Sequence, residues 1–343
     1  MLSPVMRQEI DALFTRAYTA CNVCREGSGK MTGQGGSHTR QGYLSIMICI
    51  FGVSVSPLFY KLGYLTGLDA LWINVFRLLI TVVIMAAITF CNPKHRRAIF
   101  RTSKRAFFIS ALAGTLLAFH LNGWALALQN TDTFAASTIL GTYVLLTVLF
   151  ASLILKEKTS KAALVGLIIA TAGVVVCNLG GGPGRLSGNL FAVFAAVTEA
   201  LYVLCGRKAR GEMDAIPYTM ILYSFTLFWM VIMALFTGVP QNVPSEGILW
   251  AGMLAVFSTL LGHSMANVAL KYFKAATVSA VMMSGVITGP LIVLLFLHDL
   301  PTLFTGIGGT VILIGIAWYM LVERREKKIA EQTKAAMAES MTE

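Results

Sequence analysis

The chain has 343 residues, of which 56% are hydrophobic and 13% charged, with a mean hydropathy of +0.73. A soluble globular domain carries about 25% charged residues, so the composition excludes an ordinary soluble enzyme or binding module and points to a membrane protein. The formal charge of +11 does not mark a nucleic-acid partner, because the basic residues are confined to short segments between long apolar runs.

Residues 1–41 form a polar tail, Gly-rich near its end, unlike the rest of the chain. The segment EIDALFTRAYTA has the pattern of a short amphipathic turn or two, without the apolar core of a signal peptide. Cys21 and Cys24 make a lone CNVC with no further pair to complete a zinc site. Gly27–Thr32 (GSGKMT) lacks P-loop spacing, and Met31 stands where a Ser or Thr would be needed. The tail reads as disordered and dispensable, with Met31 as the preferred start.

Ten apolar runs follow, near 43–65, 69–91, 106–129, 133–155, 161–179, 187–206, 216–238, 247–270, 275–297 and 302–322. A membrane helix needs about 20 mostly apolar residues. Inside a bilayer every backbone polar group must be satisfied internally, so the spans are helices or a closed barrel. Continuous apolar runs without period-two alternation exclude the barrel. Cys49, Cys91, Cys177 and Cys205 lie in or beside spans, where Cys is a small apolar filler. With a cytoplasmic N-terminus, all of the 27 Lys and Arg except Lys61, Arg77 and Arg185 fall in tails and loops on the cytoplasmic side. That asymmetry sets orientation: both termini inside, ten helices between them.

The second half repeats the first. Ala127–Gly173 realigns on Ala269–Gly315 without gaps, with Ser137 on Ser279, Val144 on Val286, Glu157 on Asp299 and Gly173 on Gly315. Gly42, Leu44, Leu58 and Lys61 likewise match Gly188, Leu190, Leu204 and Arg207. Five spans per half force the second copy upside down, the architecture of alternating-access carriers. The chain divides into the tail 1–41, a first repeat 42–180, a Gly-rich hinge 181–186, a second inverted repeat 187–322 and a charged cytoplasmic tail 323–343. The last tail reads as a solvated helix stub.

At these residues the chain resembles a known family, the ten-helix EamA-type carriers of the drug/metabolite transporter superfamily. FGVSVSPLFYKLG closing span 1 is similar to the family's Trp-Gly … Lys pattern, with Phe51 in the Trp position, and Arg77 follows at about the family's spacing. ALALQNTDTFAAS and ALKYFKAATVSA resemble its Ala-Leu-x-x-Thr-x-x-x-Ala turn. LILKEKTSKAALVGLIIATAGV and LFLHDLPTLFTGIGGTVILIG resemble its acidic, Ser/Thr, Gly, Gly signature. The chain departs from the pattern at Val144 and Val286, where prolines are common, and at Glu199, where a Trp is common. The resemblance implies a carrier of small metabolites, most often an exporter of amino acids, their derivatives or amphipathic drug-like compounds.

The candidate site residues are polar groups inside spans. A charge at the bilayer centre costs about 2.5–3.5 kcal/mol on the insertion scale and so needs a reason. Glu199, near the middle of span 6 with Tyr202 on the same face, reads as a cation or proton site on a central cavity. The bland alternative is a structural pair with Arg77. Arg77, in span 2, could pair with Glu199, bind an anionic group or snorkel outward, and a structural role is favoured. His120 shares a face with Trp124 and lies close to Asn122, while His263 shares a face with Thr259 and Asn267. These groups are either substrate contacts and proton relays or interhelical ties. Gly52 and Ser56 make a small face in span 1, beside Pro57, that either admits a neighbouring helix or frees backbone for substrate. Tyr143, Tyr202, Tyr223 and Trp229 could stack on an aromatic cargo or simply pack. Glu157 and Asp299 read as caps or turn anchors for spans 5 and 10. The glycines at 166, 173, 308, 309 and 315 suit close helix packing, within the chain or across a homodimer.

No catalytic residue, metal site or cofactor is expected, and there is no ATP motif. The expectation is a multi-pass carrier in a lipid bilayer, most naturally a bacterial inner membrane, moving a small molecule by alternating access, with proton coupling slightly favoured. A lipid-modifying membrane enzyme or a non-transporting scaffold are the rivals.

Overall fold

The computed structural model describes residues 35–155, 161–179, 183–238, 240–273 and 275–340. Cys21, Cys24, the Gly27–Thr32 segment and Glu157 lie outside them. The described residues are helical throughout, with no strand among them. The elements are α1 (Gly35–Ser54), α2 (Ser56–Leu65), α3 (Ala70–Cys91), α4 (Pro93–Phe100), α5 (Lys104–Asn130), α6 (Thr133–Gly141), α7 (Tyr143–Leu155), α8 (Lys161–Leu179) and α9 (Pro183–Arg210). There follow α10 (Ala215–Leu235), α11 (Ser245–Met253), a π-helix (Leu254–His263), α12 (Ser264–Ala269), α13 (Ala275–Met282), α14 (Ser284–Leu297) and α15 (Leu303–Ser340).

Polar residues at the ends of the apolar runs start the helices. Asp69 caps α3 through Leu71 N, Ser103 caps α5 through Ala106 N, and Asp132 caps α6 through Ala135 N. Each supplies an acceptor to a backbone N–H that the first helical turn leaves orphaned. Gly67, at φ 81°, makes the turn between α2 and α3 that a side chain would strain.

Among the described residues eight helices are long and apolar enough to cross a membrane, and the apolar stretches at Leu164–Leu179 and Gly285–Leu297 are shorter. Span 9 breaks at Met283 between α13 and α14. Span 1 breaks at Val55, just ahead of Pro57, and span 4 breaks at Thr142. Val144 and Val286, which replace common prolines, sit just beyond two of these breaks, so those helices are interrupted without proline. The charged tail continues as helix: α15 runs unbroken from the last span to Ser340.

The small-residue faces are consumed inside the chain. A Cβ on Gly166 would stand 2.6 Å from Gly315 O, and one on Gly173 2.6 Å from Gly308 O. Backbone therefore meets backbone along α8 and α15, as small residues allow in a bilayer. Asp299 does not cap its own span. It accepts from Thr133 N (3.2 Å) and Thr133 Oγ1 (2.5 Å) at the start of α6 and pairs with Lys61 at 3.4 Å. His298, left-handed at φ 54°, ends α14 and swings the chain to that position.

Candidate functional site

The three helix breaks and the π-helix converge on one cavity. Ser56 and Pro57 line it just after the first break, Leu140 and Tyr143 flank the second, and Met282 and Gly285 flank the third. The π-helix contributes Ser258 and His263, α5 contributes His120 and Trp124, and α9 contributes Glu199. Interrupted helices free backbone and re-aim side chains, which is why carrier sites gather at them. π-helical turns are likewise rare and concentrate at functional sites. The cavity encloses about 70 Å³. Pockets that bury a whole small molecule run to roughly 300–1,000 Å³, so this conformation has room for a functional group or a few waters.

Glu199 is 3% exposed, and its Oε2 lies 3.5 Å from His120 Nε2. That oxygen has no hydrogen-bond partner among the described residues. His120 is fixed from its other side, where Nδ1 lies 3.0 Å from the Ala195 carbonyl oxygen. The His263 ring stands 5.9 Å from His120, edge to face, and its Nδ1 is buried without a partner. Ser137 Oγ is a further unpartnered polar atom on the wall. Sequence reading overlooked Ser137 and Ser258, because an isolated Ser in an apolar run carries no distinctive signal.

Arg77 does not pair with Glu199. Its Nε donates to Thr259 Oγ1 (2.6 Å), Nη1 to Tyr60 Oη (2.7 Å) and Nη2 to Ser258 Oγ (3.0 Å). Tyr60 in turn donates to Asn74 Oδ1, and Asn74 Nδ2 donates to Asn122 Oδ1. Among the described residues no carboxylate forms an ion pair with this guanidinium, which is completely buried.

The structure thus divides the candidate residues. Glu199, His120, Trp124, His263 and Ser56 face the common cavity. Asn122 and Arg77 belong to the adjoining polar cradle, which touches the cavity through Ser258. Asn267 Nδ2 donates to Tyr202 Oη at 2.7 Å, and Tyr202 packs on His263 at 6.1 Å, so both stand behind the cavity wall. Of the expected common face, Thr259 turns to Arg77, whereas His263 and Asn267 both meet Tyr202. In the π-helix Thr259 Oγ1 bonds back to Leu254 O five residues away, and that wider turn destroys the 3.6-residue register. Gly52 serves close packing, since a Cβ there would reach Gly262 N at 2.6 Å. Tyr143 and Tyr223 spend their hydroxyls on Ser279 O and on Ser264 Oγ and Thr259 O. Trp229 stacks on Phe119.

A model of the EamA-like transporter family matches residues 40–179 and again 186–321. An uncharacterized transporter of Clostridium kluyveri is 23% identical over 312 residues, covering 88% of this chain and all of that protein. The uncharacterized transporter YetK of Bacillus subtilis is 25% identical over 233 residues, covering 62% of this chain and 69% of its own length. One crystal structure superposes with a TM-score of 0.59 at 19% identity, covering 84% of this chain and 99% of the other.

Proposed function

The chain belongs to the EamA-like transporter family, and on that premise we propose an alternating-access carrier whose cargo site is the cavity at Glu199, His120 and His263. It is an integral multi-pass membrane protein that moves a small molecule, not an enzyme. The proposed architecture is ten membrane helices in two inverted repeats, 42–180 and 187–322, joined by 181–186. The shorter helices at spans 5 and 9 count as membrane elements in this reading. The distribution of Lys and Arg supports cytoplasmic termini, with tails 1–41 and 323–343 on that side. A bacterial plasma membrane, the inner one where there are two, fits the organisms of the relatives.

The proposed cargo is a small metabolite, an amino acid or a related amphipathic compound, moved outward, with Glu199 exchanging a proton. Ser56 and Trp124 complete the wall against which the cargo rests. Arg77, Asn122, Tyr202 and Asn267 hold that wall in place. Homodimerisation draws no support from the small-residue faces, since α8 and α15 use them on each other.

The observation that carries this reading is the cavity where three broken helices and a π-helix meet around a buried, unpartnered carboxyl oxygen. The test is counterflow by purified protein in liposomes, with a mixed pool of amino acids and related metabolites, for wild type and Glu199→Gln at two internal pH values. Flux of one compound that the substitution abolishes or makes insensitive to pH is the expected result. Unchanged flux in the variant would remove Glu199 from the mechanism while keeping the carrier.

A further inference from the structure

The His120 ring defines its own proton. Its Nδ1 faces the Ala195 carbonyl oxygen, which only accepts, so Nδ1 carries the hydrogen and Nε2 of the neutral ring is a bare lone pair. That lone pair faces Glu199 Oε2 at 3.5 Å. Two acceptors cannot be neighbours in a buried site without a proton between them, either on the carboxyl or on the ring. The pair is therefore built to hold one proton. His263 lines the same cavity, and its buried Nδ1, without a partner among the described residues, is a third acceptor in the tautomer protonated at Nε2.

From this arrangement, and resting on the carrier reading above, we infer that the site takes a primary ammonium group in one-for-one exchange for the proton shared by Glu199 and His120. An ammonium has three donors and no acceptor. Glu199 Oε2, His120 Nε2 and His263 Nδ1 offer it three acceptors on one cavity. On binding, R–NH3+ enters and one H+ leaves, so the charge inside the site is unchanged and no bond within the cargo is made or broken. A quaternary ammonium has no donor for these lone pairs. An amino acid brings a carboxylate as well, and the nearest fixed cation, Arg77, has its three nitrogens engaged by Tyr60, Ser258 and Thr259. The apolar wall of Val53, Leu121, Trp124, Met282 and Val286 suits a short hydrocarbon body.

The other titratable groups that feel the Glu199 charge are phenols and a thiol, neutral at physiological pH. They are Cys49 on α1, Tyr143 on α7, Tyr202 on α9 and Tyr218 on α10. Arg77 on α3 acts on the two imidazoles. Among the described residues no second carboxylate lines the cavity to share the role.

The test uses three compounds that share an isobutyl body: isobutylamine, its N,N,N-trimethyl derivative, and valine, which is isobutylamine with a carboxylate added. Titration calorimetry on the purified full-length protein, in buffers of different ionisation enthalpy, reads both affinity and protons released. The expected result is that isobutylamine binds with release of about one proton and binds more tightly as pH rises, because the competing proton is removed. The trimethyl compound and valine bind at least about tenfold more weakly. Glu199→Gln loses isobutylamine binding, whereas Glu199→Asp, which keeps the charge, retains it at reduced affinity. Equal binding of the trimethyl compound overturns recognition through N–H donors, and equal binding of valine overturns the cargo class. Binding without proton release overturns the exchange. Absence of binding by isobutylamine and other primary amines, with counterflow of some other metabolite intact, overturns this inference and leaves the carrier reading standing.

Discussion

Arg77 carries its charge inside an apolar span and donates once from each of its three nitrogens, to the hydroxyls of Tyr60, Ser258 and Thr259. A guanidinium presents its donors in a fixed planar fork, and three acceptors at fixed positions match it as an ammonium cannot. Arg77→Lys should therefore lower stability by about 2–4 kcal/mol, since hydrogen bonds to a charged group contribute about 1.5–3 kcal/mol each. Thermal unfolding in detergent measures this, and an unchanged transition would show that the cradle is not structural. Glu199 predicts the opposite. Its Oε2 has only the long 3.5 Å contact with His120 and no other partner among the described residues, so Glu199→Gln should leave the unfolding temperature unchanged or raised while abolishing proton-coupled activity, as expected where a site trades stability for function. A drop of about 2 kcal/mol would instead mark Glu199 as a structural tie to His120.

At the scale of elements, the irregular helices make the site and the regular ones make the frame. The seam between α8 and α15 tolerates no side chain, because Gly173 meets the backbone of Gly308 and the side chain of Ile312. Gly306, on the same α15, has nothing within 4 Å of a Cβ. Gly173→Ala should cost about 1–3 kcal/mol through overpacking, whereas Gly306→Ala should be neutral or stabilising by up to about 1 kcal/mol, since Gly is a poor helix former. Equal effects in thermal unfolding would refute the seam. The π-helix is the counterpart: by widening one turn it turns Ser258 and Thr259 to Arg77 while leaving His263 on the cavity.

Across the whole molecule, two acids tie distant segments together. Asp299 joins α2, through Lys61, to the start of α6. Asp132 accepts from Arg185 and from Thr305 Oγ1, and Arg185 Nη1 donates to Thr302 Oγ1. The two basic residues that the topology reading puts on the external side, Lys61 and Arg185, are thus both paired. Partial burial works against the Asp299 carboxylate, but hydrogen bonds from Thr133 and the charge of Lys61 outweigh it and hold the group below the usual carboxylate range. A carboxyl depressed in the folded state contributes stability above its unfolded pKa of about 3.9 and loses it as pH falls through the folded value. Acid unfolding below about pH 4 should therefore be weaker in Asp299→Asn than in wild type, measured as the change in unfolding temperature with pH. Parallel curves would remove the Asp299 node from the acid response.

The sequence by itself determined the helical membrane character, the family and the short list of buried ionisable groups, because hydropathy and local motifs are properties of contiguous residues. It placed His120, Trp124, Glu199, His263 and Ser56 among the candidates, and these do share a cavity. It did not separate them from Asn122, Asn267, Tyr202 and Arg77, because face arithmetic assumes an unbroken helix of 3.6 residues per turn. Breaks at Val55, Thr142 and Met283 and the π-helix at Leu254–His263 void that assumption where the site lies. Only the tertiary structure decided that Arg77 belongs to Thr259, 182 positions away, rather than to Glu199. A buried charge pairs with whatever acceptor packing brings within about 3 Å, and that choice is made between helices, beyond the reach of local pattern.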